Sequence, residues 1–406
     1  MKVIQINVVA DQGSTGKIVC DIDKSLRANW IESEIYYGRK SHRKSDARKI
    51  KFGYGWEMLL QRVLLKAGLA LQYGGNCFST RRLEHLISKS RPDVVHIQCA
   101  NGYCVNIYRL LKSLAKKEIP TVITHHAEFY YTGNCGHALD CNRFTTGCGD
   151  CPRAKASTGA MFSDRSAEAW RKMKDAVQSF RKDKLIFTSV SPWVKNRSAM
   201  SPIVEGYPCE VVLNGVETST FNLKEQRKDI RGRIPDCKDK MVLHVTASFS
   251  DRPGSFKGGD HIVELAKRMP HVTFVVASNY SDIEGELPKN VYLWGRTNGQ
   301  EELAELYNAA GCTVIASKKE TFSMVVAESL CCGTPVVGFK AGGPETITIP
   351  EYSEFAEQGD IDALQKALED TLSRSFNSQE ISSQAIAKYS KERMTESFIK
   401  IYEQMI

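Results

Sequence analysis

Glu320-Thr-Phe-Ser-Met-Val-Val-Ala-Glu328 carries the densest chemical signal in this chain of 406 residues. An apolar run ends near Ser317, and Phe322-Ser323-Met324 then opens a helical pattern. The first N–H groups of a helix have no partner within it, and the helix dipole adds positive potential there, so the position favours an anion such as a diphosphate. Glu320 lies in the preceding loop and Glu328 about two turns into the helix. A carboxylate accepts two hydroxyls at once, so this pair suits recognition of a polyol beside the anion. Spacing alone equally allows a capping acid followed by an ordinary helix acid.

Three further segments follow strand-like runs. Ser248-Phe-Ser-Asp-Arg252-Pro-Gly-Ser-Phe-Lys257-Gly-Gly offers Lys257, with Arg252, as a cationic clamp for a diphosphate. The alternative is a solvated loop. Asp11-Gln-Gly13-Ser-Thr-Gly16-Lys lets a backbone approach a phosphate closely but matches no P-loop. Ala341-Gly342-Gly343-Pro344-Glu345 either brings backbone amides to a ligand or is a plain strand-to-helix turn. Elsewhere, Cys135, Cys141, Cys148 and Cys151 fall within one short stretch, where composition predicts about half a cysteine. The spacing C-x5-C-x6-C-x2-C suits a structural tetrahedral zinc, with His137 as a substitute ligand; packed thiols or two disulfides are the alternatives.

Elements must hold these residues in place. Short β-branched runs at 3–9, 93–98, 121–124, 185–190, 210–213, 241–246, 272–277, 313–316 and 335–339 alternate with amphipathic stretches such as 262–268, 300–310 and 323–332. Nearly continuous apolar strands in that rhythm imply parallel sheets covered on both faces. Two blocks are visible. The expected organisation is α/β, with two doubly wound domains facing a cleft: residues 1–191, residues 192–385, and a helical tail, 386–406, returning to the first. Ligands of such sheets bind at the carboxyl ends of the strands.

Composition agrees: 42% hydrophobic and 25% charged residues exclude disorder and fibrous architectures. A net charge of +8 is too small for a typical nucleic-acid binder. Thirteen cysteines without an export signal suit a reducing cytoplasm, and the amino terminus reads as a buried first strand rather than a signal peptide. No 18-residue apolar run is present.

Taken in order, Lys257-Gly258, Glu320-x7-Glu328, Gly333-Thr-Pro-Val-Val337 and Gly342-Gly-Pro-Glu345 resemble the retaining nucleotide-sugar glycosyltransferases of family 4. In the amino half, Thr124-His-His126, Thr132-Gly-Asn-Cys135 and Thr146-Gly-Cys148-x-x-Cys151-Pro152 look like the branch that builds capsule, colanic-acid and O-antigen polysaccharides. The resemblance implies the GT-B fold, with two Rossmann-like domains and a final helix crossing back. It implies that Glu320 contacts the donor sugar, Glu328 the ribose and Lys257 the diphosphate. The amides around Phe322, Ser323 and Met324 assist, Gly13 and Gly16 approach from the other domain, and His126 faces the donor sugar; read from the residue alone, His126 is equally a satisfied core histidine. It further implies a UDP- or GDP-sugar donor, a lipid-linked oligosaccharide acceptor and no required catalytic metal. Two departures stand out. Ala127 and Glu128 follow His126 where the family has Asp next, and Ser248 occupies the place of the family's Arg, leaving Arg252 to substitute.

Arg39, Lys40, Arg43, Lys44, Arg48, Lys49 and Lys51 precede a helical run at 56–67 with Trp56, Leu59, Leu60, Val63, Leu64 and Ala67 at amphipathic spacing. That combination suits an anionic membrane surface, peripheral at the inner face of the plasma membrane; a core-facing helix is the alternative. Other classes fit less well. A nucleotide-sugar epimerase is opposed by the paired glutamates with Lys257-Gly258. A phosphorylase would need a pyridoxal-phosphate lysine motif. A zinc-containing nucleic-acid binder would need two separated C-x2-C pairs and more positive charge, so no nucleic-acid partner is expected.

Overall fold

A computed structural model describes residues 1–41, 47–158, 163–224 and 230–406. The chain forms two units: Met1–Leu213 with Met394–Ile406, and Asn214–Arg393.

The first unit holds β1 (Lys2–Asn7), β2 (Glu32–Tyr37), β3 (Lys49–Lys51), β4 (Val94–Cys99), β5 (Thr121–His125), β6 (Leu185–Ser189) and β7 (Cys209–Val211) in one sheet of order β3-β2-β1-β4-β5-β6-β7. Every pairing is parallel. Its helices are α1 (Gly13–Ala28), α2 (Gly55–Lys66), α3 (Cys77–Ser90), α4 (Ile107–Lys116), the short α5 (Phe129–Thr132) and α6 (Ala154–Thr158), α7 (Ser166–Val177) and α8 (Pro192–Ala199). Local chemistry sets several starts. Asn106 caps α4 by accepting from Arg109 N, and Ser191 caps α8 with Pro192 in its first turn.

The second unit holds β8 (Lys240–Thr246), β9 (Phe249–Ser250), β10 (Val272–Ser278), β11 (Ser281–Asp282), β12 (Val291–Gly295), β13 (Cys312–Ile315), β14 (Val336–Phe339) and β15 (Ser353–Ala356). The main sheet runs β12-β10-β8-β13-β14-β15, again all parallel, and β9 pairs with β11 alone. Its helices are α9 (Gly259–Arg268), α10 (Gln300–Ala309), α11 (Met324–Cys331), α12 (Gly343–Ile347), α13 (Ile361–Ser373) and α14 (Ser378–Tyr389); α15 (Lys391–Met405) follows. Both sheets are Rossmann-like, and in each the strand order reverses beside the first strand. Those switch points lie at β1/β4 and β8/β13, where a crevice opens beyond the strand ends.

Apolar burial explains this arrangement. Ile18, Ile22 and Leu26 of α1 pack with Val3, Val94 and Val122, and Met394, Phe398, Ile401 and Tyr402 of α15 complete that core. In the second unit, Ile262, Leu265 and Ala266 of α9 pack with Val242, Phe274, Val276 and Val314. Three expectations change. Residues 192–213 go with the first unit, because β7 pairs with β6. The tail is two helices, broken at Ser390, which bridges to Val216. In the two main sheets, β2, β3, β12 and β15 had no clear apolar run; three of them are sheet edges with polar or aromatic residues on a half-wet face.

Candidate active site

The switch point of the second unit gathers Lys257, Glu320, Glu328 and the start of α11. Lys257 lies between β9 and α9, and its Nζ lies 2.6 Å from Glu320 Oε1. Gly258 fixes this placement. Its φ is +72°, and a Cβ there would stand 2.1 Å from the Ala316 carbonyl oxygen. Any side chain would drive the Lys257 loop off the end of β13. Glu320 is held by its main chain, its N donating to Ala341 O and its carbonyl accepting from Gly343 N. Gly343 is equally constrained, since a Cβ would fall 2.5 Å from the Thr321 carbonyl.

The Gly342-Gly343-Pro344-Glu345 segment is therefore a turn that supports the Glu320 loop. Glu345 accepts from Ala341 N and Gly342 N at 2.9 and 2.7 Å, so these amides are already used. Phe322 is buried beneath the loop. Ser323 sits at φ +80° immediately before α11, a conformation costing about 1–3 kcal/mol that the surrounding packing must impose. It does not cap the helix with its side chain, which leaves the first turn at Met324 and Val325 as the polar end of the element. Glu328, two turns into the pattern, accepts from the Tyr307 hydroxyl at 3.2 Å. Burial first, and the Glu328 charge second, hold that phenol well above its usual range, so it remains a donor.

A cavity of about 210 Å³ opens beyond the ends of β8, β10 and β12. Its lining includes Thr246, Asn279, Arg296, Thr297 and Leu303, together with Val325 in the first turn of α11. Arg296 is exposed and makes no ion pair or hydrogen bond among the described residues. Asn279, Arg296 and Tyr307 went unnoticed in the sequence. The signal for Asn279 and Arg296 is their position directly after β10 and β12, and for Arg296 it is weak because β12 is rich in aromatic residues. Arg252 does not join this group. It pairs with Asp282 and Glu284 at 3.2 and 3.1 Å.

In the first unit, Gly13 opens α1 at φ +62° with nothing within 4 Å of its Cβ position, so its backbone is approachable. Gly16 differs. It is buried, and a Cβ would press within 3.3 Å of Asp11 N and Val9, so it packs the first turns of the helix onto the loop that follows β1. Burial would raise the Asp11 carboxyl, but hydrogen bonds from Cys20, Lys49 and Ser41 outweigh it and hold it below its usual range.

His126, just beyond β5, is held by a buried chain that fixes its tautomer. Gln5 Nε2 donates to the Val19 carbonyl at 3.1 Å, which leaves Gln5 Oε1 facing Gln98 as an acceptor. Gln98 Nε2 must donate to it, so Gln98 Oε1 faces His126 Nε2 at 2.7 Å, and that nitrogen carries the proton. Burial pushes His126 down to about 4, so it is a neutral imidazole. Behind it, His96 meets Tyr402 of α15 at 2.6 Å and Thr124 at 2.7 Å.

Glu128, the departure beside His126, is structural. It is buried, ion-paired to Arg197, and accepts from Tyr131 and from Ala138 N. Arg197 in turn donates to the carbonyls of Leu139 and Cys141. This pair pins the cysteine-rich loop, the task expected of zinc. Burial, then Cys135, Cys141 and Cys151, push the Cys148 thiol up to about 12, and among the described residues none of the four cysteines forms a disulfide. Among the described residues no group of three or more His, Cys, Asp or Glu side chains is placed to hold a metal ion. The basic cluster is partly neutralised, since Arg48 pairs with Glu34 and Lys49 with Asp11. Arg43 and Lys44 lie outside the described residues.

Residues 264–393 match the family of glycosyl transferases group 1. Across the full length of both chains, the protein is 20% identical to WcaC of Escherichia coli (strain K12), whose name places it as a colanic acid biosynthesis glycosyl transferase. Sucrose-phosphate synthase from Thermosynechococcus elongatus shares the fold with a TM-score of 0.66 at 16% identity, covering 100% of this chain and 99% of that one. HepE of Anabaena in complex with UDP gives 0.65 at 13%, covering 99% and 100%. The fold is GT-B, and the site, the matched segment and the full-length relative together support a glycosyltransferase of GT-B type.

Proposed function

We propose that the protein is a retaining glycosyltransferase that moves a sugar from a nucleoside-diphosphate sugar to a lipid-linked oligosaccharide in bacterial surface-polysaccharide synthesis, working peripherally at the membrane. One observation carries the donor half of this reading: Lys257, Glu320, Glu328 and the first turn of α11 converge at one strand-order reversal, beside a cavity of about 210 Å³. The cavity takes the base, with Arg296 as a donor to it. Glu328, oriented by Tyr307, accepts the ribose hydroxyls. The amides of Met324 and Val325 meet the diphosphate. Lys257, now paired with Glu320, turns to phosphate oxygen, and Glu320 is released to accept sugar hydroxyls.

In the transfer the acceptor oxygen bonds to the anomeric carbon on the face that the diphosphate leaves. The carbon–phosphate-oxygen bond breaks, and the departing phosphate takes the hydroxyl proton. Charge grows on that leaving group, where Lys257 and the α11 dipole act. Neutral His126 offers a fixed hydrogen-bonding group to a sugar hydroxyl rather than a charge. The UDP bound by HepE and the polysaccharide named for WcaC support the donor and pathway class.

The test is a thermal-shift screen of purified protein against UDP, GDP and their sugars, repeated with Lys257→Ala and Glu328→Ala. Stabilisation by one nucleotide series that disappears in both variants is expected. A folded wild-type protein that responds to none of them overturns the reading.

A further inference from the structure

We propose that the outward face of α2 and the first half of α3 docks on an anionic lipid bilayer. The proposal rests on the lipid-linked acceptor reading and names the surface that would serve it. Helix α2 is inside out. Trp56, Leu59, Leu60 and Val63 are 56, 63, 48 and 56% exposed, whereas Glu57, Gln61 and Leu65 are buried.

The polar side is locked inward by specific bonds. Glu57 accepts from Phe78 N and Ser79 N at 2.7 and 2.8 Å and from the Ser79 hydroxyl, so it serves the first amides of α3. Gln61 Nε2 donates to Leu71 O at 2.6 Å. Rolling the helix to bury its apolar side would strand both groups, at the expense of unpaired buried polar atoms. The exposed face is therefore a fixed feature of the fold. Phe78 extends it, 55% exposed with its ring 5.7 Å from Trp56.

Charge selects the occupant. The exposed charged side chains of the two helices are Arg62, Lys66, Arg81, Arg82 and Lys89, all cationic. Both carboxylates are withdrawn, Glu57 into the interior and Glu84 into a 2.7 Å pair with Arg109. Arg81 and Arg82 lie three and four residues beyond Phe78 and share its face. Aromatic and aliphatic side chains beside arginine and lysine suit the boundary between acyl chains and anionic headgroups. A second copy docking through the same patch would set these cations against one another. No helix among the described residues is long and apolar enough to cross a membrane, so this face lies on a bilayer rather than spanning it.

The experiment is co-sedimentation of the full chain with vesicles of phosphatidylcholine alone or mixed equally with phosphatidylglycerol, alongside light scattering without lipid. Wild type should partition at least about tenfold more strongly to the anionic vesicles, with the gain falling at high salt. Leu59→Asp with Leu60→Asp should remove binding, and Arg81→Glu with Arg82→Glu should remove the anionic preference. Vesicle binding unchanged in both double variants, or a wild-type dimer that the Leu59/Leu60 variant turns into a monomer, overturns the proposal. Nucleotide-induced thermal shifts on the same proteins keep the two ideas separate. Loss of lipid binding with the shift intact supports the docking face. A wild type that binds vesicles but no nucleotide sinks the donor reading alone.

Discussion

Among single residues, Gln98 has the clearest consequence, because the Val19 carbonyl, Gln5 and Gln98 together decide which nitrogen of His126 carries the proton. A histidine with its proton on Nε2 presents Nδ1 as an acceptor, and misassigning the two would reverse what it can offer a sugar hydroxyl. Gln98→Leu removes that control and leaves Gln5 without its donor. Transfer should slow about tenfold or more through kcat, with donor KM changed much less. In nitrogen-15 NMR at neutral pH, wild-type His126 should show a protonated Nε2, and the variant a tautomer mixture. Gln98→Glu keeps an acceptor toward His126 and should recover part of the rate; an unaltered tautomer in the leucine variant would end the argument. None of this was legible in the sequence, where Gln98 is one polar residue in a buried strand. Glu320, Glu328 and Lys257 were legible, because their chemistry travels with spacing along one strand–loop–helix unit. Arg296, Asn279 and Tyr307 were not, since they reach the site only through strand order.

Elements explain why those spacings work. The Glu320 loop stands on Gly343, and the fit is close enough that one methyl group should disturb it. Gly343→Ala should lower stability by about 2 kcal/mol and abolish nucleotide-induced stabilisation, as read by denaturant unfolding and thermal shift. A variant with normal nucleotide response would show that the loop does not set the site. The cysteine-rich loop depends on a different device, the buried Glu128–Arg197 pair. Glu128→Gln leaves the Arg197 charge without its counterion and should cost about 3 kcal/mol. Limited proteolysis should then cut the loop near residues 135–151 first. The four cysteines of that loop are visible in the sequence by their proximity, whereas the anchoring ion pair joins residues 69 positions apart. Helix α2 teaches a similar limit. Its apolar spacing was plain in the sequence, but periodicity identifies a face without saying which way it points, and Glu57 and Gln61 decided that through tertiary bonds.

For the whole molecule, the buried histidines set the acid limit of both units. Burial, with His126 beside it, pushes His125 down to about 3, and burial alone pushes His126 to about 4. In the second unit, burial and then the Lys257 charge bring His244 to about 4, against donation from its Nδ1 to the Val314 carbonyl at 3.1 Å. Each folded pKa lies below the unfolded value near 6.5, so the unfolded chain takes up these protons first. Stability is therefore insensitive to these groups above pH 6.5 and falls as pH drops from there toward 4. The slope is about 1.4 kcal/mol per pH unit for each histidine. Carboxylates such as Asp11 and Glu34, held below their usual range, add their losses only at lower pH, as they protonate. The two contributions can thus be separated on the pH axis. Calorimetry from pH 8 to 5 should show Tm level at first and then descending, before Asp11 and Glu34 titrate. His244→Gln should make the descent shallower by one proton's worth in the second unit, with the first unit unchanged. A Tm that stays level down to pH 5 would mean that these imidazoles gain protons in the folded chain as easily as in the unfolded one, and the neutral His126 in the proposed transfer step would fall with them.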